Sequence, residues 1–160
     1  MRARRRHLAT PRQGTAALLT LAAIALLAAC GGASPAKRAV IRSVIASYLR
    51  GVAHGDGNAA CAHATPSGQN KIVSVLGPEL QNFDIYGCSD VVYVTGAQMS
   101  KQNRRILNSV KVGTVTIHGS TASVDATQIT SPYGSAAALI GTTAPIRLVD
   151  SYGVWLITQL

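Results

Sequence analysis

Near residue 110 the sequence changes its periodicity, and this switch limits the fold more than any other feature. Before it, Val40, Ile41, Val44, Ile45, Tyr48, Leu49 and Val52 recur one, three and four residues apart, with Lys37, Arg38, Arg42 and Arg50 mostly on the other side. Such a stripe predicts an amphipathic helix with one broad buried face. Ser34 followed by Pro35 marks its start and Gly55 its stop. Asp56 reads as the cap of a short second helix carrying Ala59, Ala60 and Cys61. Thr65-Pro66 opens a third, with Ile72, Val73, Val75 and Leu76, that ends at Gly77-Pro78. Beyond residue 110 the period becomes two. Val110 to His118 is rich in Val, Thr and Ile, Gly119-Ser120 makes a turn, and Ala122, Val124 and Ala126 alternate with Ser123, Asp125 and Thr127. That pattern predicts a β-hairpin with one buried face. Ser131 to Gly134 reads as a loop, and Pro145–Val149 with Gly153–Thr158 as a second hairpin carrying the lone Trp155. Helices first and strands after give an α+β class. Residues 79–109 divide the signals: Val91 to Val94 favour strand, Ser89-Asp90 have the form of a helix start, and Gln98 to Asn108 suit a helix or a loop.

The formal charge of +9 suggests a nucleic-acid partner only until its distribution is read. Five of the fifteen Lys and Arg residues (Arg2, Arg4, Arg5, Arg6, Arg12) precede residue 30, leaving ten bases against six acids in the rest, a net +4. Nucleic-acid binding loses its compositional support. Gly14 to Ala29 follows the basic head as sixteen residues without a charge. Basic, then apolar, then small residues is the order of a secretory signal peptide, and the run is short for a spanning helix of about 20 residues. It ends in Leu27-Ala28-Ala29-Cys30, which resembles the lipobox of bacterial lipoprotein precursors. That resemblance implies diacylglyceryl transfer to the Cys30 sulfur and cleavage before it; an uncleaved anchor with an ordinary Cys30 is the alternative. The expected organisation is a signal peptide over 1–29, a lipidated Cys30 with a flexible tether over 30–35, and a folded domain over 36–160. The tether reaches about 15–20 Å at roughly 3.3–3.6 Å per residue, so the domain sits close to the membrane.

Outside the cytoplasm disulfides persist. Setting Cys30 aside leaves Cys61 and Cys88, 27 positions apart, with no CxxC motif between them. An even pair in that compartment is read as a disulfide, worth about 3–4 kcal/mol by loop-closure reasoning. A reactive cysteine, the competing reading, needs a base and a reason to stay reduced.

The first helix ending in His54-Gly55-Asp56-Gly57, then Ala60-Cys61-Ala62, Tyr86-Gly87-Cys88, Thr121-Ala122-Ser123-Val124 and Gly153-Val154-Trp155, resembles the small NTF2-like lipoproteins of actinobacteria over residues 36–160. The resemblance implies N-terminal helices packed on a curved antiparallel sheet, with a conical pocket opening between them. Tyr48, Val52, Tyr93 and Trp155 are the candidate lining, and a small apolar ligand the natural occupant. The partners implied are a membrane through the lipid anchor, and an apolar ligand or an envelope protein; a homodimer through the sheet stays open. One departure is the apolar stretch 132–144 (PYGSAAALIGTTA), which reads as an extra strand or a segment closing the pocket.

No catalytic motif stands out. Gly55-Asp56-Gly57-Asn58-Ala59-Ala60 satisfies GxGxxA, but a helix rather than a strand precedes it, so it reads as a turn between helices. His54, His63 and His118 lack HxxxH or HExxH spacing, so no metal or other cofactor is expected. An isomerase or cyclase on this scaffold needs a carboxylate in an apolar cavity facing hydroxyl donors, as in ketosteroid isomerase. Asp84, Asp90 and Asp125 with Tyr48, Tyr86 and Tyr93 are the available groups, and none matches a catalytic motif. The leading expectation is a non-enzymatic, membrane-anchored binding or accessory domain of the cell envelope. Its rivals are an exported isomerase or cyclase using the same pocket, and a spacer or interaction domain. Lys101, Arg104, Arg105 and Lys111 form a basic cluster that suits a solvated loop or anionic lipid heads.

Overall fold

In the computed structural model, which describes residues 34–80 and 83–160, the first helix runs Pro35–His54 (α1). The readings of residues 1–29, of Cys30 and of Gly31 to Ala33 lie outside the described residues. The Ser34 hydroxyl accepts the Lys37 N–H at 3.2 Å, and Gly55 closes the helix in the left-handed region at φ 68°. Ile41, Ile45, Tyr48, Leu49 and Val52 are buried. The buried face is narrower than expected, because Val40 lies on its flank and is 49% exposed. Helix α2 (Gly57–Cys61) is capped by Asp56, whose Oδ1 accepts the Ala59 N–H at 2.9 Å. Helix α3 (Pro66–Leu76) is capped by Thr65, whose Oγ1 accepts from Gly68, and a 3-10 turn, Gly77–Leu80, follows it.

Two more helices settle the region the sequence left divided: α4 (Cys88–Gln98) and α5 (Lys101–Asn108), the latter capped by Ser100. The Val-rich segment is thus helical. Its β-branched side chains cost a few tenths of a kcal/mol each in helix propensity. Packing outweighs that cost, since α4 sits against α1, α2 and α3 with Val91 and Val92 completely buried. The disulfide Cys61–Cys88 links the end of α2 to the start of α4, with Cα atoms 6.2 Å apart.

The second half holds β1 (Lys111–Val112), β2 (Thr116–His118), β3 (Thr121–Val124), β4 (Ile129–Ser131), β5 (Gly134–Ser135), a short helix α6 (Ala136–Leu139), β6 (Ile146–Ser151) and β7 (Val154–Gln159). Both expected hairpins form, within an antiparallel sheet of order β2-β3-β6-β7. Ile117, Ala122, Leu148 and Ile157 pair in register across all four strands, one apolar row on the inner face. The protein is therefore α+β, helices and antiparallel strands sharing one apolar core.

The single strand expected from Val110 to His118 is instead divided. Gly113 donates its N–H to Gln128 O, and the Gln128 side chain accepts from Thr114, so β1 leaves the main sheet for a small one of order β1-β4-β5. The stretch 132–144 supplies β5 and α6 rather than a full strand. The helical half meets the main sheet at Ile157. Its N–H donates to His63 O, its carbonyl accepts from Thr65 N–H, and Gly68 on α3 lies so close that a Cβ there would sit 2.2 Å from that carbonyl.

Candidate functional site

Tyr48, Val52 and Trp155 are 1%, 3% and 3% exposed and belong to the apolar core. They fill space rather than border it, and burial pushes the Tyr48 phenol well above its usual range. Tyr93 corrects the expected lining: at 65% exposure its side chain does not share the burial of the other three. It follows two buried valines on a helix, and a rotation of 100° per residue carries it to the outer side.

A cavity of about 320 Å³ lies instead where the end of α3, the 3-10 turn, the ends of α4 and α5, and α6 converge. Val75, Leu76, Leu80, Met99 and Leu139 make its apolar lining, with Glu79, Gln98 and Asn103 as polar groups at its border. Thr95 also lines it, and its hydroxyl is buried with no hydrogen-bond partner among the described residues. Ser135 caps α6 by accepting the Ala138 N–H, and this short helix brings Ala138 and Leu139 to the cavity. Gly141, at φ 65°, then turns the chain close over Val75. Of these residues the sequence reading had placed Val75 and Leu76 only as a helix face. The signal for the closing side was the unusual apolarity of residues 132–144.

Catalytic groups of the isomerase kind are not assembled. None of the six carboxylates is buried. Asp90 is half-buried and accepts the Tyr86 backbone N–H at 3.1 Å, whereas Tyr86 itself is exposed. Asp84 and Asp125 are exposed. Glu79, the carboxylate beside the cavity, is exposed as well. Among the described residues no three His, Cys, Asp or Glu side chains gather as a metal site, and no helix is long and apolar enough to cross a membrane. His54 and His118 are exposed; His63 is half-buried, and loss of hydration lowers its pKa from 6.5. The GxGxxA segment is the α1–α2 turn, with Gly57 packed against the Ser89 backbone.

Half of the basic cluster serves the fold. Arg104 donates to Gly96 O at 2.8 Å, tying α5 to the end of α4, and the Arg105 guanidinium lies 3.8 Å from the Tyr133 ring centre. Lys101 and Lys111 are exposed. No protein-family profile, curated protein or solved structure matches the chain.

Proposed function

We propose that the protein is a membrane-anchored lipoprotein domain of the cell envelope, NTF2-like in architecture, that binds a small, partly apolar ligand in the cavity beneath α6 as an accessory rather than an enzyme. The observation that carries the binding reading is the cavity itself. Aliphatic and thioether groups make one part of its lining and polar groups the larger part, and its volume falls at the small end of the usual 300–1,000 Å³ for ligand sites. The apolar part therefore contributes affinity by burial, and Glu79, Gln98 or Asn103 orients the ligand through a hydrogen bond. The Cys61–Cys88 bond supports an oxidising compartment and hence export. A layer of helices against an antiparallel sheet supports the NTF2-like reading. With every carboxylate at least partly hydrated, the isomerase reading has no general base held in an apolar setting.

The test uses the neutral apolar fluorophore N-phenyl-1-naphthylamine. It should brighten on titration with the protein, and Ala138→Phe, which projects a ring into the cavity, should remove at least about 90% of that binding, a loss of roughly 1.4 kcal/mol. Equal brightening with the parent and a variant of unchanged melting temperature would overturn the cavity as the binding site.

A further inference from the structure

Cations gather at one end of α1. Lys37 and Arg38 occupy its first turn, which contains no acid. Arg42 follows Arg38 by one turn, and its Nε–H donates to the Gly113 carbonyl at 2.9 Å. That bond holds the start of α1 against β1, where Lys111 is exposed. Lys37 and Arg42 are exposed too, and Arg38 is half-buried. At the other end of the helix the charge is mixed, with Arg50 exposed near acidic groups. Asp56 caps α2 there, and α4, whose Ser89 abuts Gly57, carries Asp90. The 20 residues of α1 put about 30 Å between the two ends. Asp125 is joined to the basic end through its backbone: its carbonyl accepts from the N–H of Gln128, which in turn holds Gly113 and Thr114.

The placement works against the fold. Lys and Arg in a first helical turn oppose the helix dipole, whose positive end is already there, and Asp or Glu would stabilise α1 better. The same dipole adds to the four side chains in attracting an anion outside the protein.

We propose that this end of the domain docks on the anionic headgroups of a lipid bilayer. The inference rests on the anchoring reading, in which Cys30 precedes Pro35 by five residues and a tether of about 15–20 Å holds the start of α1 near the membrane. Each Lys or Arg close to a charged bilayer contributes about 1 kcal/mol, or roughly fivefold in affinity. The surface is thus an electrostatic foot that sets how the anchored domain stands.

The experiment uses residues 33–160, which form one compact unit, so that no lipid anchor takes part. Cosedimentation is measured with vesicles of phosphatidylcholine alone and of phosphatidylcholine mixed with phosphatidylglycerol. Binding should need phosphatidylglycerol and fall steeply with salt. Lys37→Gln with Lys111→Gln should weaken it by about 25-fold, and adding Arg38→Gln by about 100-fold in all. Arg50→Gln with Lys71→Gln, which removes as much charge elsewhere, should leave it unchanged. Equal binding to both vesicle types, an unaltered affinity in the folded Lys37/Lys111 variant, or binding to duplex DNA without binding to vesicles would overturn the proposal. Failure here is distinguishable from failure of anchoring, which is read by lipid incorporation at Cys30 in the full chain.

Discussion

His63 joins two halves of the molecule through its backbone while its ring answers to pH. The carbonyl accepts the Ile157 N–H at 2.8 Å, and the ring loses hydration because the same junction half-buries it. With the folded pKa below 6.5, the unfolded chain takes up a proton first as pH falls. The stabilisation from a neutral His63 is therefore complete above about pH 7 and is lost as pH drops from about 6.5 through the folded value. Denaturation between pH 7.5 and 5 should show this decline, and His63→Gln, which keeps the backbone bond, should flatten it. An identical slope in the variant would assign the decline to other groups. Trp155 is the opposite kind of residue, its burial legible from the sequence because a chain with one Trp and 4% aromatics places such area inside. Tyr93 was misread because its side depends on whether residues 91–94 form a strand or a helix.

At the scale of the element, what was legible is what is local. Ser34-Pro35, Asp56 and Thr65-Pro66 each act within three residues, and all three caps stand where the sequence puts them. Helix α4 could not be read that way, since its valines are made helical by neighbours distant in sequence. Strands β1, β4 and β5 have two or three residues each, too few to carry a period. The cavity suffers the same limitation, as its walls come from the ends of α3, α4 and α5 and from α6. Close packing of α4 on α1 rests on Gly96, where a Cβ would lie 2.3 Å from Gly55 N and 2.8 Å from Val52 O. Gly96→Ala should cost about 1–3 kcal/mol or more through overpacking. Gly87, one residue before the same helix, has extended backbone and no heavy atom within 4 Å of such a Cβ. Gly87→Ala should stay within about 0.5 kcal/mol. Urea midpoints of the two variants compare them directly, and equal midpoints would refute the close approach.

For the whole molecule, the organisation proposed from the sequence turns on one atom, the Cys30 sulfur. In an expressing bacterium, labelled palmitate should enter the parent protein, while Cys30→Ser should be unlabelled and accumulate as precursor. A Ser variant processed and fractionated like the parent would refute the lipoprotein reading. The fold adds a constraint on timing. Strand β7 lies at the edge of the main sheet, and its Ile157 bonds to residues some ninety positions earlier. Pairings of such separation fold slowly because loop closure precedes any gain from contact. A chain emerging from its N-terminal side would expose the apolar faces of α1 and α3 until β7 arrived. Cooperative folding therefore awaits the last strand, whose arrival closes the apolar core over the helical half.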